Sequence, residues 1–412
     1  MWKVIYRAIS YVLLLPALFF LLGSKKTRKS ILGKFRPKPN LSTKEGVIWI
    51  HAASLGEAVI GLSVSQFLSE RTDFSFLFTT NTTYAKDFIE RHITGRGKVL
   101  YAPLDLSFSL DSFLEGVDYR ALLIIETEIW PNMIWKAKSR AIPILIVNGR
   151  VSDRSFPLYR KISFFIKHVL RQVDLVLAQS DVHAQRFSLL GVPKERIFVL
   201  GNIKYLRKPL FDFSQKDHVI TFGSIRRKEI DGIIEVMREI KNDYPDISFF
   251  FAPREITALE VIEKSLAESF RIARLSFIKE AGGNPHDWDV ILIDTVGEMD
   301  KIYAQSLLAF VGGSLAPYGG HNILEPIFCG TPVLFGPYVE NFKEIANDIL
   351  AFEAGFMVGD YEELKRTILR LLSDVDLINS VTKNGRVLVE RRKDEIEKKM
   401  EVLLEFIERR RN

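Results

Sequence analysis

Short, mostly apolar runs alternate with stretches of helical periodicity along most of the chain, from Val47 onward. Runs that stay apolar at consecutive positions are typical of parallel strands covered by helices on both faces. The first series comprises Val47–Ile50, Phe74–Phe78, Val99–Tyr101, Ala121–Ile125, Ile142–Val147, Leu175–Leu177 and Ile197–Leu200. The second comprises Val219–Phe222, Ile247–Phe251, Val290–Ile293, Leu307–Val311 and Val333–Phe335. The pattern predicts an α/β protein with two doubly wound, Rossmann-like domains.

This rhythm breaks between residues 206 and 217, where Pro209 and several polar residues interrupt it. We therefore predict a linker over 206–217, an N-terminal domain over 31–205 and a C-terminal domain over 218–412. Helical periodicity over Glu362–Leu372 and Asp394–Arg410 gives the second domain its C-terminal helices. Because ligands of such folds bind beyond the carboxyl ends of the strands, we expect two facing domains with a cleft between them.

The first 30 residues differ from the rest of the chain. Ala8–Gly23 carries no charge, and extending it back to Val4 gives about the 20 residues that span a bilayer. A basic run follows at once, formed by Lys25, Lys26, Arg28, Lys29, Lys34, Arg36 and Lys38. We predict that residues 1–30 form a transmembrane signal-anchor with a basic flank, which leaves the domains on the cytoplasmic side. Arg7 and Pro16 leave open a helix that enters only one leaflet.

Charge and cysteine content narrow the possible partners. The formal net charge is +6, and we expect the basic run to contact anionic lipid head groups of the inner membrane. Nucleic-acid binding is not expected, because no basic face interleaved with aromatic residues accompanies the run. The single Cys329 excludes an internal disulfide framework, and the scattered histidines predict no metal site.

A glycine-rich segment, Gly312–Pro326, follows the predicted strand that ends at Val311. Its glycines let the backbone approach a ligand, and a helix opening near Asn322 would direct free N–H groups at a phosphate. Glu325, about one turn further on, would accept hydrogen bonds from a ribose. The spacing fits equally well a plain connection in which Asn322 only caps its helix.

A second strand-to-helix turn, His51–Ala58, contains Ser54 and Glu57. Glu57 lies at the carboxyl end of a predicted strand, where a general base could act on a substrate hydroxyl. Ser54 and Glu57 also have the spacing of a capping box, which is a purely structural role. A helix N-terminus would in addition lower the pKa of Glu57 and weaken it as a base.

Other polar residues follow the predicted strands. Glu126 and Glu128 are two positions apart after Ala121–Ile125, so at least one is expected to face the cleft, although both could be solvated loop residues. Lys204 follows the last strand of the first domain and could place a cation near a departing phosphate or be an ordinary solvated lysine. In the second domain, the basic turn Gly223–Lys228 suits a phosphate and fits a solvated turn nearly as well. The segments Pro253–Arg254 and Gly297–Met299 likewise follow strand ends.

Five segments of the chain occur in an order that resembles the 3-deoxy-D-manno-octulosonic acid (Kdo) transferases. They are His51–Glu57, Glu126–Asn132, Asn148–Ser152, Gly201–Lys204 and Gly319–Pro326. The resemblance extends over nearly the whole chain, including the N-terminal segment. It implies a GT-B glycosyltransferase that moves Kdo from CMP-Kdo onto the lipid A precursor in lipopolysaccharide biosynthesis. It also implies inversion at the anomeric carbon and a location at the cytoplasmic face of the inner membrane.

The resemblance also implies residue roles. Glu57 matches the general base, and Glu128 and Lys204 match residues that stabilise the transition state, with Glu126 left open as the alternative carboxylate. The positions that match CMP-binding residues are Pro253, Arg254, Gly297, Glu298, Met299, Asn322, Ile323, Leu324 and Glu325. The family implies neither a metal nor another cofactor.

Two other functions fit the same pattern. One is a different nucleotide-sugar enzyme of this fold, such as a UDP-sugar transferase or epimerase. The other is a membrane-bound nucleotide-binding protein without catalysis, which Glu57 and Glu128 argue against. The number of Kdo units transferred and the oligomeric state do not follow from the sequence.

Overall fold

Two seven-stranded sheets, each built of parallel strands only, organise the protein. The structure is a computed structural model and describes residues 2–21, 34–35, 37–39, 41, 45–93, 96–208, 216–255 and 259–409. The chain divides into two compact units, which we call unit 1 (Met1–Leu206 with Asp394–Asn412) and unit 2 (Arg207–Lys393). Two doubly wound α/β units confirm the fold class predicted from the apolar runs.

The sheet of unit 1 has the strand order β3-β2-β1-β4-β5-β6-β7. The order reverses between β1 and β4, so their connections leave on opposite sides and open a crevice at the strand ends. Strand β1 is buried at every position, as expected for a strand covered by helices on both faces. The strands are β1 (Val47–His51), β2 (Ser75–Thr80), β3 (Gly97–Tyr101), β4 (Tyr119–Ile125), β5 (Ile144–Gly149), β6 (Leu175–Ala178) and β7 (Ile197–Val199).

Helices pack on both faces of this sheet around a core that includes Trp49 and Phe113, whose ring centroids are 4.7 Å apart. The helices of unit 1 are α1 (Trp2–Leu21), α2 (Leu55–Ser69), α3 (Thr83–His92), α4 (Ser107–Leu114), α5 (Pro131–Ser139), α6 (Ser155–Lys161), α7 (Ser163–Leu170) and α8 (Asp181–Leu189). A short 3-10 turn, Ile203–Leu206, ends the unit's first segment.

The sheet of unit 2 has the order β10-β11-β9-β8-β12-β13-β14, with the reversal between β8 and β12. Its strands are β8 (Val219–Ile225), β9 (Ser248–Pro253), β10 (Ile272–Arg274), β11 (Val290–Leu292), β12 (Leu308–Val311), β13 (Val333–Phe335) and β14 (Gly355–Met357). The apolar runs did not predict β10 and β14. Both are three-residue edge strands, and an edge position tolerates the charge of Arg274 and the exposure of Met357.

Helices complete unit 2 and extend beyond the predicted ones. They are α9 (Ile230–Asp243), α10 (Leu259–Ala267), α11 (Leu275–Ala281), α12 (Met299–Gln305), α13 (Glu325–Phe328), α14 (Lys343–Ala351), α15 (Tyr361–Leu372) and α16 (Val375–Glu408). Of the predicted linker, residues 209–215 lie outside the described part. Lys216 at its end is held by unit 2, since its ammonium group donates to Thr331 Oγ1 at 2.7 Å.

The C-terminal boundary differs from the predicted domain 218–412. Helix α16 begins 19 residues before Asp394, the predicted start (394 minus 375), and its residues from Asp394 onward belong to unit 1. There Glu401 pairs with Arg71 at 3.4 Å, and Ile396 packs against Gly201. Contacts between residues far apart in sequence decide this assignment, and helical periodicity does not predict such contacts.

The N-terminal segment forms a helix, but its first turns pack against unit 1. The Tyr6 ring lies 5.8 Å from that of Trp135, and Trp2 lies 4.9 Å from Phe164. In the part of the chain that the structure describes, no helix is long and apolar enough to cross a membrane. The predicted transmembrane anchor therefore has no support here. Of the basic run, Lys25, Lys26, Arg28, Lys29 and Arg36 lie outside the described residues.

Candidate functional site

The reversal point of the first sheet brings together the chain segments that follow β1 and β4. Glu57 lies in the first turn of α2, just after β1, and Glu126 and Glu128 follow β4 directly. The register of β1 against β4 places His51 beside Ile124, so both strands end at the same edge. Three carboxylates therefore share the edge at which ligands of doubly wound sheets bind.

Glu57 has the hydrogen bonds of a helix cap. The Ala53 N–H donates to Glu57 Oε2 at 2.6 Å, the Ser54 hydroxyl donates to Oε1 at 3.1 Å, and the Glu57 N–H donates back to Ser54 Oγ at 3.4 Å. The capping prediction is thus confirmed, with the difference that the second backbone donor is Ala53 and not Ser54. A cap fixes the direction of the carboxylate and does not exclude a chemical role for it.

The expectation of a lowered pKa for Glu57 at the helix N-terminus is wrong, because the net shift is upward. Burial, the charge of Glu128 and then that of Glu126 raise the pKa of Glu57 from its ordinary 4.5 to about 7, although the Ala53 and Ser54 hydrogen bonds act in the opposite direction. Desolvation and two like charges disfavour the ionised form of Glu57 more than the hydrogen bonds of the cap favour it. A carboxylate whose pKa lies near neutrality is suited to take a proton and release it.

Glu126 and Glu128 differ in their surroundings. Glu126 has a left-handed backbone, φ 59°, which is costly for a residue with a side chain and turns the chain sharply at the end of β4. Glu128 accepts a hydrogen bond from Trp130 Nε1 at 2.8 Å, and burial raises its pKa. Among the described residues no group of three or more His, Cys, Asp or Glu is arranged to hold a metal ion.

The sequence did not predict a role for Asp105, which caps α5, the helix that follows Glu126 and Glu128. Its carboxylate accepts the N–H groups of Asn132 at 3.1 Å and Met133 at 2.7 Å, at the start of α5. Tyr6 of α1 donates to the same carboxylate at 2.9 Å. A cap supplied from 27 residues away leaves no local sequence signature, which explains the omission.

Lys204 lies in the 3-10 turn Ile203–Leu206, which packs against α2, the helix that carries Glu57. Asn148 holds this turn, since its Oδ1 accepts the Ile203 N–H at 2.9 Å. Asn148 is fully buried and has a left-handed backbone, φ 58°. The structure therefore places Lys204 and Glu57 in the same unit, on elements in contact.

The second set of predicted site residues surrounds the reversal point of the sheet in unit 2. Pro253 ends β9, and the Arg254 N–H donates to the Ile225 carbonyl at 2.9 Å, at the end of β8. Gly297 is left-handed, φ 92°, as the chain turns into α12 at Met299. Glu298 pairs with Lys279 at 2.6 Å, so its carboxylate is already engaged by a cation of the same unit.

The segment Asn322–Glu325 corrects the predicted helix. Helix α13 begins at Glu325, three residues after Asn322 (325 minus 322), and has only four residues. Asn322 Oδ1 accepts the Leu324 N–H at 3.3 Å, while its Nδ2 donates to Glu325 Oε1 at 3.1 Å. A helix this short has little dipole for a phosphate. Ile323 and Leu324 are buried, so their side chains belong to the core.

Glu325 and His321 give this site its electrostatic character. Burial raises the pKa of Glu325, while the nearby charge of Arg207 acts against the rise. Burial together with Arg254 and Arg226 lowers the pKa of His321 to about 4. A neutral imidazole beside two guanidinium groups is a suitable surface for an anionic ligand.

Two sequence families match this chain, one in each half. The sequence profile described as 3-Deoxy-D-manno-octulosonic-acid transferase (kdotransferase) matches residues 27–207, and that of Glycosyl transferases group 1 matches residues 203–388. The chain is 31% identical to the 3-deoxy-D-manno-octulosonic acid transferase of Haemophilus influenzae, over 88% of this chain and 87% of that one. The enzyme of that name from Aquifex aeolicus is 30% identical, over 83% and 91%.

Other relatives are longer or more distant. A bifunctional glycosyltransferase/methyltransferase of Fusobacterium nucleatum is 32% identical over 84% of this chain, which spans only 56% of that protein. The crystal structure of the Anabaena protein HepE with UDP-glucose has a TM-score of 0.58 at 15% identity, covering 87% of this chain and 99% of that one. A UDP-N-acetylglucosamine 2-epimerase has a TM-score of 0.57 at 15% identity, covering 85% and 95%. Likeness at this identity shows the fold alone. The chain belongs to the 3-deoxy-D-manno-octulosonic acid transferase family and is a glycosyltransferase of the GT-B fold class.

Proposed function

We propose that this protein transfers Kdo from CMP-Kdo to a hydroxyl group of the lipid A precursor, with inversion of the anomeric carbon. The observation that carries the proposal is Glu57, a capped carboxylate whose pKa is raised to about 7 at the reversal point of the first sheet. Family membership supports the choice of Kdo as the transferred sugar. The reaction serves lipopolysaccharide biosynthesis.

In the proposed reaction Glu57 accepts the proton of the acceptor hydroxyl. The hydroxyl oxygen forms a bond to the anomeric carbon of Kdo, and the bond from that carbon to the phosphate oxygen breaks with its electron pair going to CMP. Glu57 then returns the proton to water. Glu128 stabilises positive charge that develops on the sugar, and Lys204 stabilises the negative charge of the departing phosphate. Glu128 also raises the pKa of Glu57, so its carboxylate makes Glu57 a stronger base.

For the donor, we propose that CMP binds at the reversal point of unit 2. Pro253 and Arg254, the turn Gly297–Met299 and the segment Asn322–Glu325 are the contacts. Glu325 accepts hydrogen bonds from the ribose hydroxyls, and Arg254 with the neutral His321 faces the anionic groups. A phosphate and a sugar carboxylate balanced by arginines need no divalent ion or other cofactor.

We further propose that α1 lies in the membrane interface on the cytoplasmic side of the inner membrane. Trp2 and Tyr6 attach the helix to unit 1, while Val4 and Val12 remain 69% and 67% exposed. Leu158 and Phe164 on α6 and α7 are exposed as well, which extends the apolar surface. Apolar surface of this kind suits contact with acyl chains, those of the acceptor included.

The test is an assay of the purified protein with CMP-Kdo and the tetra-acyl lipid A precursor, with products identified by mass. We expect a mass increase of one or more Kdo residues and release of CMP. Thermal-shift titrations with CMP and UDP run in parallel. Absence of product together with stabilisation by UDP and not CMP would replace the proposal with a UDP-sugar enzyme of the same fold.

A further inference from the structure

A buried carboxylate occupies the glycine-rich loop of unit 2. Glu229 is fully buried, and its Oε1 accepts the N–H groups of Ser314 at 3.0 Å, Leu315 at 2.9 Å and Ala316 at 3.3 Å. Its Oε2 accepts the N–H groups of Gly313 at 2.6 Å and Arg226 at 3.0 Å. Consecutive N–H groups that converge on one anion form a backbone nest, the arrangement that binds phosphate in other folds.

This nest lies in the glycine-rich segment Gly312–Pro326, in which the sequence predicted that the backbone approaches a ligand. In the structure its N–H groups already have an anionic partner from the same chain. The backbone N–H groups of residues 313–316 are therefore already engaged by Glu229. No short sequence motif signals the occupant, because Glu229 and Gly313 are 84 residues apart.

Glu229 joins the two segments that leave the sheet of unit 2 at its reversal point. It follows β8 in the 3-10 turn Arg227–Glu229, whereas its partners at 313–316 follow β12. A residue that only capped its own turn would bond Arg226 alone. Four of the five donors come from the other segment, so the carboxylate sets the geometry of both.

The loop that Glu229 holds also supports the proposed nucleotide site. The Gly320 N–H donates to the Gly313 carbonyl at 2.8 Å, directly before His321. A Cβ atom on Gly313 would lie 2.8 Å from His321 Cδ2, so loop and imidazole are in close contact. The Ser314 hydroxyl accepts the Gly336 N–H at 2.8 Å and thereby joins the loop to the end of β13. A shift of the loop would move His321 and the Asn322–Glu325 segment with it.

We propose that Glu229 is a positioning residue for the nucleotide site, which fixes the glycine-rich loop by occupying its anion nest in place of a substrate phosphate. The proposal rests on CMP binding at this site, as proposed above. The loop is then preformed before the donor arrives, and the donor's anionic groups meet side chains such as Arg254 and His321 instead of the nest. Preorganisation of this kind lowers the cost of ordering the site on binding.

The test compares Glu229→Ala and Glu229→Gln with Glu235→Ala, a control that removes an exposed carboxylate from α9. We expect both Glu229 variants to lose hydrogen-exchange protection at the amides of residues 313–316, whereas the control keeps it. Because misplacement by about 1 Å costs on the order of 100-fold, we expect a loss of that order in kcat/KM for CMP-Kdo. Formate or acetate should restore amide protection and activity in Glu229→Ala, while chloride at the same ionic strength should not.

Unchanged amide protection in both variants would overturn the proposal, and so would protection that is lost without any change in CMP affinity. If Glu229→Ala does not fold, Glu229→Gln, which preserves the side-chain volume, decides by the same exchange measurement. Hydrogen exchange needs no substrate. A wild-type protein that has protected amides but no transferase activity would therefore contradict the proposed function and leave the role of Glu229 in the loop intact.

Discussion

Each unit carries a glutamate after the first strand of its sheet, beside the point where the strand order reverses, and the two have opposite chemical surroundings. Glu57 accepts one backbone N–H and one hydroxyl, and burial together with the charges of Glu128 and Glu126 raises its pKa to about 7. Glu229 is fully buried and accepts five backbone N–H groups. The same topological position thus gives a carboxylate suited to exchange a proton in one unit and one suited to hold backbone in the other. Hydrogen-bond donors distinguish the two, whereas position does not.

We expect the largest effect on activity from replacing Glu57, the glutamate of unit 1. Glu57→Gln keeps an oxygen for the Ala53 N–H but cannot accept a proton, so we expect kcat to fall on the order of 100- to 10,000-fold, as for loss of a general base. KM for both substrates should change little. Initial rates with CMP-Kdo measure this, with Glu70→Gln at the exposed end of α2 as the control. An unchanged kcat would leave Glu57 with its capping role only.

For the free energy of unfolding we expect the opposite order, with a larger loss from replacing Glu229 than from replacing Glu57. Glu229→Ala leaves buried N–H groups without partners, each costing about 1–3 kcal/mol, so we expect the free energy of unfolding to fall by about 3 kcal/mol or more. Glu57→Ala removes a helix cap, worth about 1 kcal/mol, and also relieves repulsion from two carboxylates. Urea unfolding curves with equal m-values provide the comparison. A Glu57→Ala variant less stable than Glu229→Ala would contradict our assignment of roles.

The pH dependence of kcat/KM tests whether the neighbouring carboxylates raise the pKa of Glu57. Glu57 must be ionised to accept a proton, so kcat/KM should fall as pH drops below about 7. Glu128→Gln removes a charge that raises this pKa, and the acidic limb should therefore move to lower pH, with a reduced maximal rate. A limb that stays near pH 7 in the variant would show that the charge of Glu128 does not raise the pKa of Glu57.

The same ionisation affects folding. The folded-state pKa of Glu57, about 7, exceeds its ordinary value of 4.5, so ionisation costs stability. The cost is absent below about pH 4.5 and complete above about pH 7. We expect Glu57→Gln to gain stability relative to the wild type as pH rises through that window, in urea unfolding at several pH values. An equal difference at all pH values would contradict the raised pKa.

The smallest expected effect concerns the choice between Glu126 and Glu128. Glu126→Gly removes a left-handed strain of about 1–2 kcal/mol, partly offset by the greater freedom of glycine in the unfolded chain, about 0.4–1 kcal/mol. We expect a small gain in unfolding free energy and a modest change in kcat, against the larger loss in Glu128→Gln. A greater loss of activity in Glu126→Gly would make Glu126 the second functional carboxylate.

The sequence predicted the strands that are buried on both faces, because burial requires continuous apolar runs such as Ala121–Ile125. It missed β10 and β14, whose edge positions relax that requirement. The position of Glu57 could also be predicted, since a turn between strand and helix leaves a local pattern. Its pKa could not, because that depends on Glu128, brought near by the pairing of β1 with β4. The roles of Asp105 and Glu229 depend on equally distant partners.

The attachment of α1 has a consequence for how this protein can be prepared. Shortening the chain past Tyr6 to improve solubility would remove a donor from the Asp105 carboxylate and uncover the ring of Trp135. Asp105 caps α5, the helix that follows Glu126 and Glu128. The truncation would therefore also disturb the start of that helix. Preparing the full chain in detergent or lipid nanodiscs therefore preserves these contacts, which a shortened chain would lose.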